Sequence, residues 1–363
     1  MIILNLIVKD EADIIERCLD SVFDFIDAIF ICDTGSSDNT IEVIRTWQKK
    51  RSIIGEVVSS PWVNFQHNRN VALKGCKQWI EKNSEEKDNY ICIIDADDYL
   101  VIEDINIFEE SLDDSDADLL LINSKIENIN YQRPFIFNAT AHSEWIGVVH
   151  EYLRVDGKVD TLKSAFIAVN RDGARNKDPL KYLKDALLLE GEMKKGKDSR
   201  NLFYLAQSYR DYGFYKLAEE NYLKRFDMDE FPEERYISLI EAAKCRMKRN
   251  KNDQKTNDLL YQAFCFRPQR LEAPYYIVNT FRNKSQHFMG YIFGRSLINF
   301  PYPDDVLFVD RDIHTWKFLD EVAICACWAK DIDLFRNLSE RILALDIPNE
   351  ARERISKDLF TFG

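Results

Sequence analysis

The chain has 363 residues, more than one hydrophobic core usually organises, so we expect two domains. Its formal net charge of −13 and the lack of a basic block argue against nucleic acid as a partner. No apolar run is long enough for a transmembrane segment. The eight cysteines show no CxxC spacing, which argues against a disulfide framework or a zinc site and favours a reducing compartment.

The first residues, MIILNLIVKDE, carry no basic leader and no small-residue cleavage site, so they are typical of a strand and not of a signal peptide. We therefore expect a cytoplasmic protein. From residue 1 to about 125, short apolar runs alternate with helical patterns: strands at IILNLIV, AIFICD, EVVSS and YICIIDAD, and helices near residues 14–23, at TIEVIRTW and near 66–82. This rhythm predicts a mainly parallel sheet covered on both faces.

Polar side chains gather where two of these strands end. CDTGS follows the second strand and DADD follows the fourth, and ligands of such sheets bind beyond the carboxyl ends of the strands. Ser37 or Asp38 is also placed to cap the helix that begins near TIEVIRTW. The two strand ends are therefore the first indication of a site.

After about residue 178 the pattern is helical throughout. The stretch NLFYLAQSYRDYGFYKLAEENYLKRF has the small/large spacing of a tetratricopeptide helix pair, with Gly213 in its turn. Further, more degraded pairs are predicted at 233–266, 272–300 and 315–345. The charged stretch NRDGARNKDP indicates a boundary, so we expect domains at 1–175 and 176–363.

The acidic run IIDADD poses an electrostatic problem, because clustered carboxylates repel unless a cation is bound or their pKa values rise. Asp95 and Asp97 are two residues apart, and hard cations such as Mg²⁺ and Mn²⁺ prefer carboxylate oxygens. An acidic turn that only caps the following segment is the structural alternative. In WIGVVHEYL, His150 and Glu151 would offer an imidazole to a metal and a carboxylate to a reaction, or else be a core histidine and a surface glutamate.

These motifs, in this order, resemble the inverting glycosyltransferases of family 2, which have the GT-A fold. LIVKDEADIIERCLDSV resembles the opening strand and helix, ICDTGSSDNT the nucleotide-binding segment, IIDADD the metal motif and GVVHE the acceptor-side motif. The helical half resembles the repeat extension of a bacterial and viral subgroup. The resemblance implies an α/β GT-A domain followed by an all-α tetratricopeptide-like domain.

The resemblance also implies roles for individual residues. Asp33 would recognise the base or ribose of a nucleotide sugar, most often uridine. The same pocket would be lined by Lys9, Asp10 (where the family often has Asn) and Glu11. Arg69 would lie near the diphosphate of the nucleotide sugar, and Arg175 would close over its phosphates. Asp95 would contact the ribose and the metal, Asp97 would bind the metal and His150 would complete its coordination.

A transfer of this kind needs a stabilised leaving group and a deprotonated acceptor. A divalent Mn²⁺ or Mg²⁺ ion bridging two phosphates would stabilise the departing diphosphate, and one carboxylate would take the acceptor proton. Glu151 is the predicted base because His150 would tie its segment to the metal. Asp98 is the alternative, with Glu144 behind it. The resemblance implies inversion at the anomeric carbon.

Two other functions remain open at this stage. A sugar nucleotidyltransferase would usually carry a Gly-rich basic loop near its N-terminus, where this chain has VKDEAD. A tetratricopeptide interaction scaffold with a non-catalytic nucleotide-binding domain would have no reason to keep clustered charge. If the protein is a transferase, its acceptor could equally be a glycan, a peptide or protein, or a lipid-linked sugar. The sequence also leaves open whether the helical half forms a homodimer.

Overall fold

The computed structural model describes residues 1–86, 88–126, 129–170, 172–196, 198–251, 253–305 and 307–363, without the side chains of 129 and 130. Arg171, part of the charged stretch predicted as a boundary, lies outside these residues. The chain forms two compact units, Met1–Tyr204 and Leu205–Gly363. The predicted boundary between 175 and 176 stays a proposal, and each unit is described by itself below.

The first unit contains ten strands among the described residues: β1 (Ile2–Val8), β2 (Ala28–Asp33), β3 (Ile54–Ser59), β4 (Tyr90–Ile93), β5 (Tyr99–Ile102), β6 (Leu119–Ile126), β7 (Ile129–Asn138), β8 (Ser143–Ile146), β9 (Tyr152–Val155) and β10 (Val159–Ala168). Its main sheet has the strand order β3-β2-β1-β4-β7-β6-β10-β5. The β3-β2-β1-β4 half is parallel throughout. Strand β7 pairs antiparallel with both β4 and β6, and β8 and β9 form a separate hairpin.

Helices cover both faces of this sheet. They are α1 (Ile15–Val22), α2 (Thr40–Arg51), α3 (Phe65–Asn83) and α4 (Ile105–Asp113), and a further helix, α5 (Lys181–Met193), follows the last strand of this unit. Side chains alternate along a strand, so Leu4 packs with α1 and α2 on one face. Its neighbour Ile3 packs with α3 and the β8–β9 hairpin on the other. The two apolar layers explain why β1 and β2 are almost continuously hydrophobic.

One glycine shows how closely the parallel strands approach each other. Gly55 in β3 has φ +136°, and a Cβ there would lie 1.9 Å from the backbone oxygen of Ile29 in β2. A side chain at this position is excluded both by the backbone conformation and by the neighbouring strand. The edge of the sheet is thus fixed by a residue without a side chain.

Helices dominate the rest of the chain. They are α6 (Ser199–Tyr212), α7 (Tyr215–Phe226), α8 (Pro232–Lys248), α9 (Gln254–Phe266), α10 (Glu272–Asn283), α11 (His287–Gly294), α12 (Phe318–Trp328), α13 (Ile332–Leu343) and α14 (Asn349–Phe362), with a short strand β11 (Val309–Asp310). Within the second unit, α7 packs on α8, α8 on α9, and α12 on α13. Successive helices that each pack on the next form the predicted tetratricopeptide-like helical domain.

The predicted fold class, an α/β GT-A domain followed by an all-α domain, is confirmed. Helix α3 matches the prediction near 66–82, and α8 and α9, which together cover 232–266, match the helix pair predicted at 233–266 to within one residue. The predicted cap of α2 by Ser37 or Asp38 is wrong, because Asn39 is the N-cap and makes no side-chain cap hydrogen bond. Asp38, one residue earlier, accepts a hydrogen bond of 3.0 Å from the backbone N–H of Thr40, the first residue of the helix. Ser37 does not cap it, because its N–H and its hydroxyl both donate to Asp10.

All eight cysteines are described, and none forms a disulfide. Cys325 is buried in α12 while Cys327 is half-buried, as expected for positions two apart on a helix. Burial raises the pKa of the Cys325 thiol to about 12, so it is an inert packing group. Every helix of the described residues is too short or too polar to cross a bilayer.

Candidate active site

Asp33 is the last residue of β2 and lies buried at the carboxyl edge of the sheet. Its carboxylate accepts hydrogen bonds from the backbone N–H groups of Gly35, at 3.0 Å, and Ser36, at 3.2 Å. Gly35 has φ +104°, a conformation that glycine adopts without strain. The Asp33 side chain therefore fixes the turn DTGS directly beyond the strand.

The loop after β1 is joined to this turn. Asp10 has φ +56°, and one of its carboxylate oxygens accepts from the N–H and the hydroxyl of Ser37, at 2.5 and 3.0 Å. The backbone N–H of Glu11 donates to the hydroxyl of Thr40 at 2.8 Å. Lys9 lies beside them and is exposed. The structure thus brings the four predicted nucleotide residues of β1 and β2 to one edge.

The acidic motif after β4 is held by two arginines. One oxygen of Asp95 pairs with Arg69 of α3, and the other lies 3.2 Å from Arg133 of β7. Arg133 also donates to Asp98 at 2.9 Å, and the second Asp98 oxygen accepts from the N–H of Asn170 at 3.1 Å. Both oxygens of Asp98 are therefore engaged, and its side chain is only 2% exposed.

The pKa values of Asp95 and Asp98 are shifted in opposite directions by these surroundings. Burial alone would raise the pKa of Asp95, but the positive charges of Arg69 and Arg133 lower it. For Asp98, burial and the nearby charges of Asp95 and Asp97 raise the pKa despite the contact with Arg133. These contacts therefore favour the charged form of Asp95 and disfavour that of Asp98.

Arg69 connects this motif to the second one. Its Nε donates to Glu151 at 2.6 Å, while its guanidinium pairs with Asp95 and lies 4.5 Å over the ring centre of Trp145. Asn70, the next residue of α3, exchanges two 2.9 Å hydrogen bonds with the backbone of Trp145. The predicted base and the predicted donor-site carboxylate thus share one guanidinium.

Asp97 points to a different place. Gly173 packs so closely that a Cβ there would lie 2.9 Å from an oxygen of Asp97 and 3.1 Å from an oxygen of Glu11. Burial and the charge of Asp97 raise the pKa of Glu11 to about 7, against the opposing hydrogen bond from Ala174. Burial and the charge of Asp95 likewise raise the pKa of Asp97. Two carboxylates that converge in this way favour a cation.

The residues present fit a hard divalent ion only in part. Among the described residues, no three His, Cys, Asp or Glu side chains are grouped to hold a metal. Mg²⁺, however, is usually bound through one or two carboxylates, with substrate phosphates and water as its other ligands. One oxygen of Asp97 accepts a long hydrogen bond of 3.4 Å from the Asn176 amide, which a cation would replace. Asp97 therefore suits a metal that arrives with a diphosphate.

The remaining two predicted residues make other contacts. The ring of His150 is stacked on Tyr204 with the centroids 4.1 Å apart. Arg175 is exposed, pairs with Asp185 and lies 4.4 Å over the ring centre of Phe65. A metal role for His150 and a phosphate role for Arg175 stay predictions.

Sequence reasoning missed residues of the antiparallel strands and of the segment that follows them. Arg133 anchors two of the three motif carboxylates, and Arg17 donates 2.7 Å hydrogen bonds to the backbone oxygen of Asp97 and to Asp172. The period-two pattern of INYQRPFIFN would have predicted β7 and placed Arg133 on one face of it. Nothing in the sequence alone indicates which carboxylate Arg17 contacts.

The fold defines an α/β domain of the GT-A type followed by a helical domain. Residues 6–168 match the family described as Glycosyl transferase family 2. This segment is similar to that family, as the motif order predicted.

Other known proteins are similar to parts of the chain. A TPR repeat-containing protein of Synechococcus elongatus is 30% identical over 115 residues, which is 31% of this chain. The chain spans only a quarter (25%) of that relative's length. The solved structure of TarS residues 1–349 from S. aureus is 14% identical, covering 71% of this chain and 82% of that one, with a TM-score of 0.34. A thermophilic TPR protein from Thermus thermophilus is 15% identical, covering 50% and 91%, with a TM-score of 0.35.

Proposed function

We propose that the protein is a metal-dependent inverting glycosyltransferase that moves a hexose from a nucleotide-diphosphate sugar, a UDP-sugar, to a glycan, peptide or lipid-linked acceptor. The observation that carries the proposal is the pairing of Arg69 with both Asp95 and Glu151. It joins the carboxylate proposed for the donor to the one proposed for the acceptor, beside a parallel sheet of the kind that binds ligands at this edge.

In this proposal Asp33, Lys9, Asp10 and Glu11 line the nucleotide pocket, with Asp95 at the ribose. Asp97 would hold the Mn²⁺ or Mg²⁺ ion. When bound, that ion would supply charge stabilisation for the leaving diphosphate. The ion would also relieve the repulsion that raises the pKa values of Asp97 and Glu11.

Glu151 is the proposed general base. Its side chain is 10% exposed, and one of its oxygens is held by Arg69 at 2.6 Å. Asp98, the alternative base, has both oxygens engaged by Arg133 and Asn170. A base must be able to reach the acceptor hydroxyl, and this difference in contacts favours Glu151.

The proposal is tested by adding Mn²⁺ and one of several sugar donors, such as UDP-glucose, UDP-galactose or UDP-N-acetylglucosamine, to the purified protein and measuring free UDP. Metal-dependent release of UDP supports it. Release of pyrophosphate from a sugar phosphate and UTP would instead identify a nucleotidyltransferase. The absence of any metal-dependent heat on titration with UDP would identify an interaction scaffold.

A further inference from the structure

One arginine from α6 contacts the residues on both sides of Glu151. Arg200 donates a hydrogen bond of 3.1 Å to the backbone oxygen of His150, the residue before Glu151. Its guanidinium lies 4.9 Å over the ring centre of Tyr152, the residue after it. Arg200 therefore contacts both chain neighbours of Glu151, whose own carboxylate is directed at Arg69.

Tyr204, one turn further along α6, completes this arrangement. Its buried ring is stacked on His150, with centroids 4.1 Å apart and an interplanar angle of 13°, and it also lies 4.8 Å from the Arg200 guanidinium. Residues four apart on a helix share a face, so Arg200 and Tyr204 present one surface to the segment 150–152. Three planar groups thus stack beside the proposed base.

The backbone of this segment adopts an uncommon conformation. His150 has φ +52°, in the left-handed region that few non-glycine residues adopt, although histidine is found there more often than most. Such a conformation persists only where the surrounding structure over-determines it, and it is found mostly at functional sites. Gly147, three residues earlier, also has a positive φ of +104°. The contacts of Arg200 and Tyr204 fall on His150 itself.

We propose that Arg200 and Tyr204 are positioning residues, which hold the segment His150–Tyr152 through the backbone oxygen and ring of His150 and the ring of Tyr152, so that the Glu151 carboxylate stays in place for proton transfer. This inference rests on the proposed function, in which Glu151 is the base. It assigns a catalytic contribution to the first turns of α6, beyond the segment 6–168 that matches the family. A displacement of a reacting group by about 1 Å can cost on the order of a hundredfold in rate.

The test compares Arg200→Met with the exposed control Arg336→Met in the full-length protein. Arg336 pairs only loosely with Asp333, at 3.8 Å. We expect Arg200→Met to lower kcat for Mn²⁺-dependent UDP release about tenfold to a hundredfold while KM for the UDP-sugar stays within about twofold. The limb of the pH–rate profile that requires an ionised base should also move. Arg336→Met should match the wild type in all three quantities.

A second pair of variants separates the ring from the hydroxyl of Tyr204. Tyr204→Phe should keep the stack and the wild-type kcat, while Tyr204→Leu should lose as much kcat as Arg200→Met. Hydrogen exchange gives a readout that needs no turnover: amides of 148–153 should exchange at least several-fold faster in Arg200→Met, with other segments unchanged. Circular dichroism and the unfolding midpoint establish that each variant is folded.

The inference is overturned if Arg200→Met keeps the wild-type kcat, if its loss lies wholly in KM for the UDP-sugar, or if exchange in 148–153 is unchanged. Glu151→Gln distinguishes this failure from that of the proposed function. Loss of UDP release in Glu151→Gln together with full release in Arg200→Met would remove only the positioning role. Full release in Glu151→Gln would remove Glu151 as the base and, with it, the reason for positioning it.

Discussion

Arg69 and Glu151, 82 positions apart in sequence, are joined by a hydrogen bond of 2.6 Å between Nε and Oε1. Arg69 also pairs with Asp95 and lies over Trp145, so its guanidinium has fixed neighbours on three sides. A guanidinium presents its donors in a rigid fork. The orientation of the Glu151 carboxylate is consequently coupled to that of Asp95 through the shared Arg69 guanidinium.

The first prediction concerns the Glu151 carboxylate. Glu151→Gln preserves size and can still contact Arg69, but it cannot accept a proton. We expect kcat for transfer to fall by about 10²- to 10⁴-fold, with the dissociation constant for UDP and Mn²⁺ changed less than about twofold. Steady-state kinetics and calorimetric titration measure the two quantities. A collapse of UDP affinity would show that Glu151 acts as a ligand or a structural group instead.

The second prediction concerns Arg133, which neutralises Asp95 and Asp98 from β7. Arg133→Met keeps the bulk of the side chain but leaves the buried Asp98 without its charged partner. Breaking a buried ion pair from one side typically costs about 3–5 kcal/mol, so we expect the free energy of unfolding to fall by that amount in urea. Arg154→Met, which removes a half-exposed pair with Glu144, should change it by less than about 1 kcal/mol. Equal effects would contradict the role of Arg133.

The parallel half of the sheet was predictable because its signals are local. Apolar strands, helical periodicity and polar strand ends lie in order along residues 1–98, and β1, β2 and β4 appear where these signals indicate. The topology then determines which residues meet, because carboxyl ends of parallel strands share one edge. Asp33 and Asp95 therefore reach the same edge as predicted.

The partners of the acidic motif were not predictable in the same way. Whether Arg69 contacts a phosphate or a carboxylate depends on the pairing of β4 with β7 and on the position of the β8–β9 hairpin, which are long-range features. The contacts of Asp172, Gly173 and Asn176 with Arg17, Asp97 and Glu11 likewise join segments more than 70 residues apart. Sequence spacing carries no information on such contacts.

The third prediction concerns the cation. Asp97→Ala removes the carboxylate proposed to hold Mn²⁺ and should abolish the Mn²⁺-dependent part of UDP binding in calorimetric titrations. Because removing Asp97 also removes a charge that raises the pKa of Glu11, the fold should be no less stable. Asp333→Ala, at a fully exposed position, is the matched control. Unchanged Mn²⁺ dependence in Asp97→Ala would exclude Asp97 as the metal residue.

The last prediction concerns a buried ionic cluster in the helical unit. Glu272 accepts hydrogen bonds from Arg270 at 2.7 and 2.9 Å, and His314 lies 3.2 Å from it. Burial alone would raise the pKa of Glu272, but His314 and Arg270 lower it to about 2 from an ordinary value of 4.5. A carboxylate whose folded-state pKa is depressed stabilises the fold above the unfolded pKa, and this contribution is lost as the pH falls through the folded pKa.

We therefore expect the free energy of unfolding of the wild type to decrease between pH 4.5 and pH 2, and the decrease to be smaller in Glu272→Gln. At pH 7 the same variant leaves the buried Arg270 without its main partner, so it should be less stable by about 3–5 kcal/mol. Denaturant unfolding at several pH values measures both effects. The control variant Glu353→Gln, at an exposed position of α14, should show the same pH dependence of the free energy of unfolding as the wild type. If the free energy of unfolding of Glu272→Gln also falls with pH as steeply as that of the wild type, Glu272 does not cause the acid dependence.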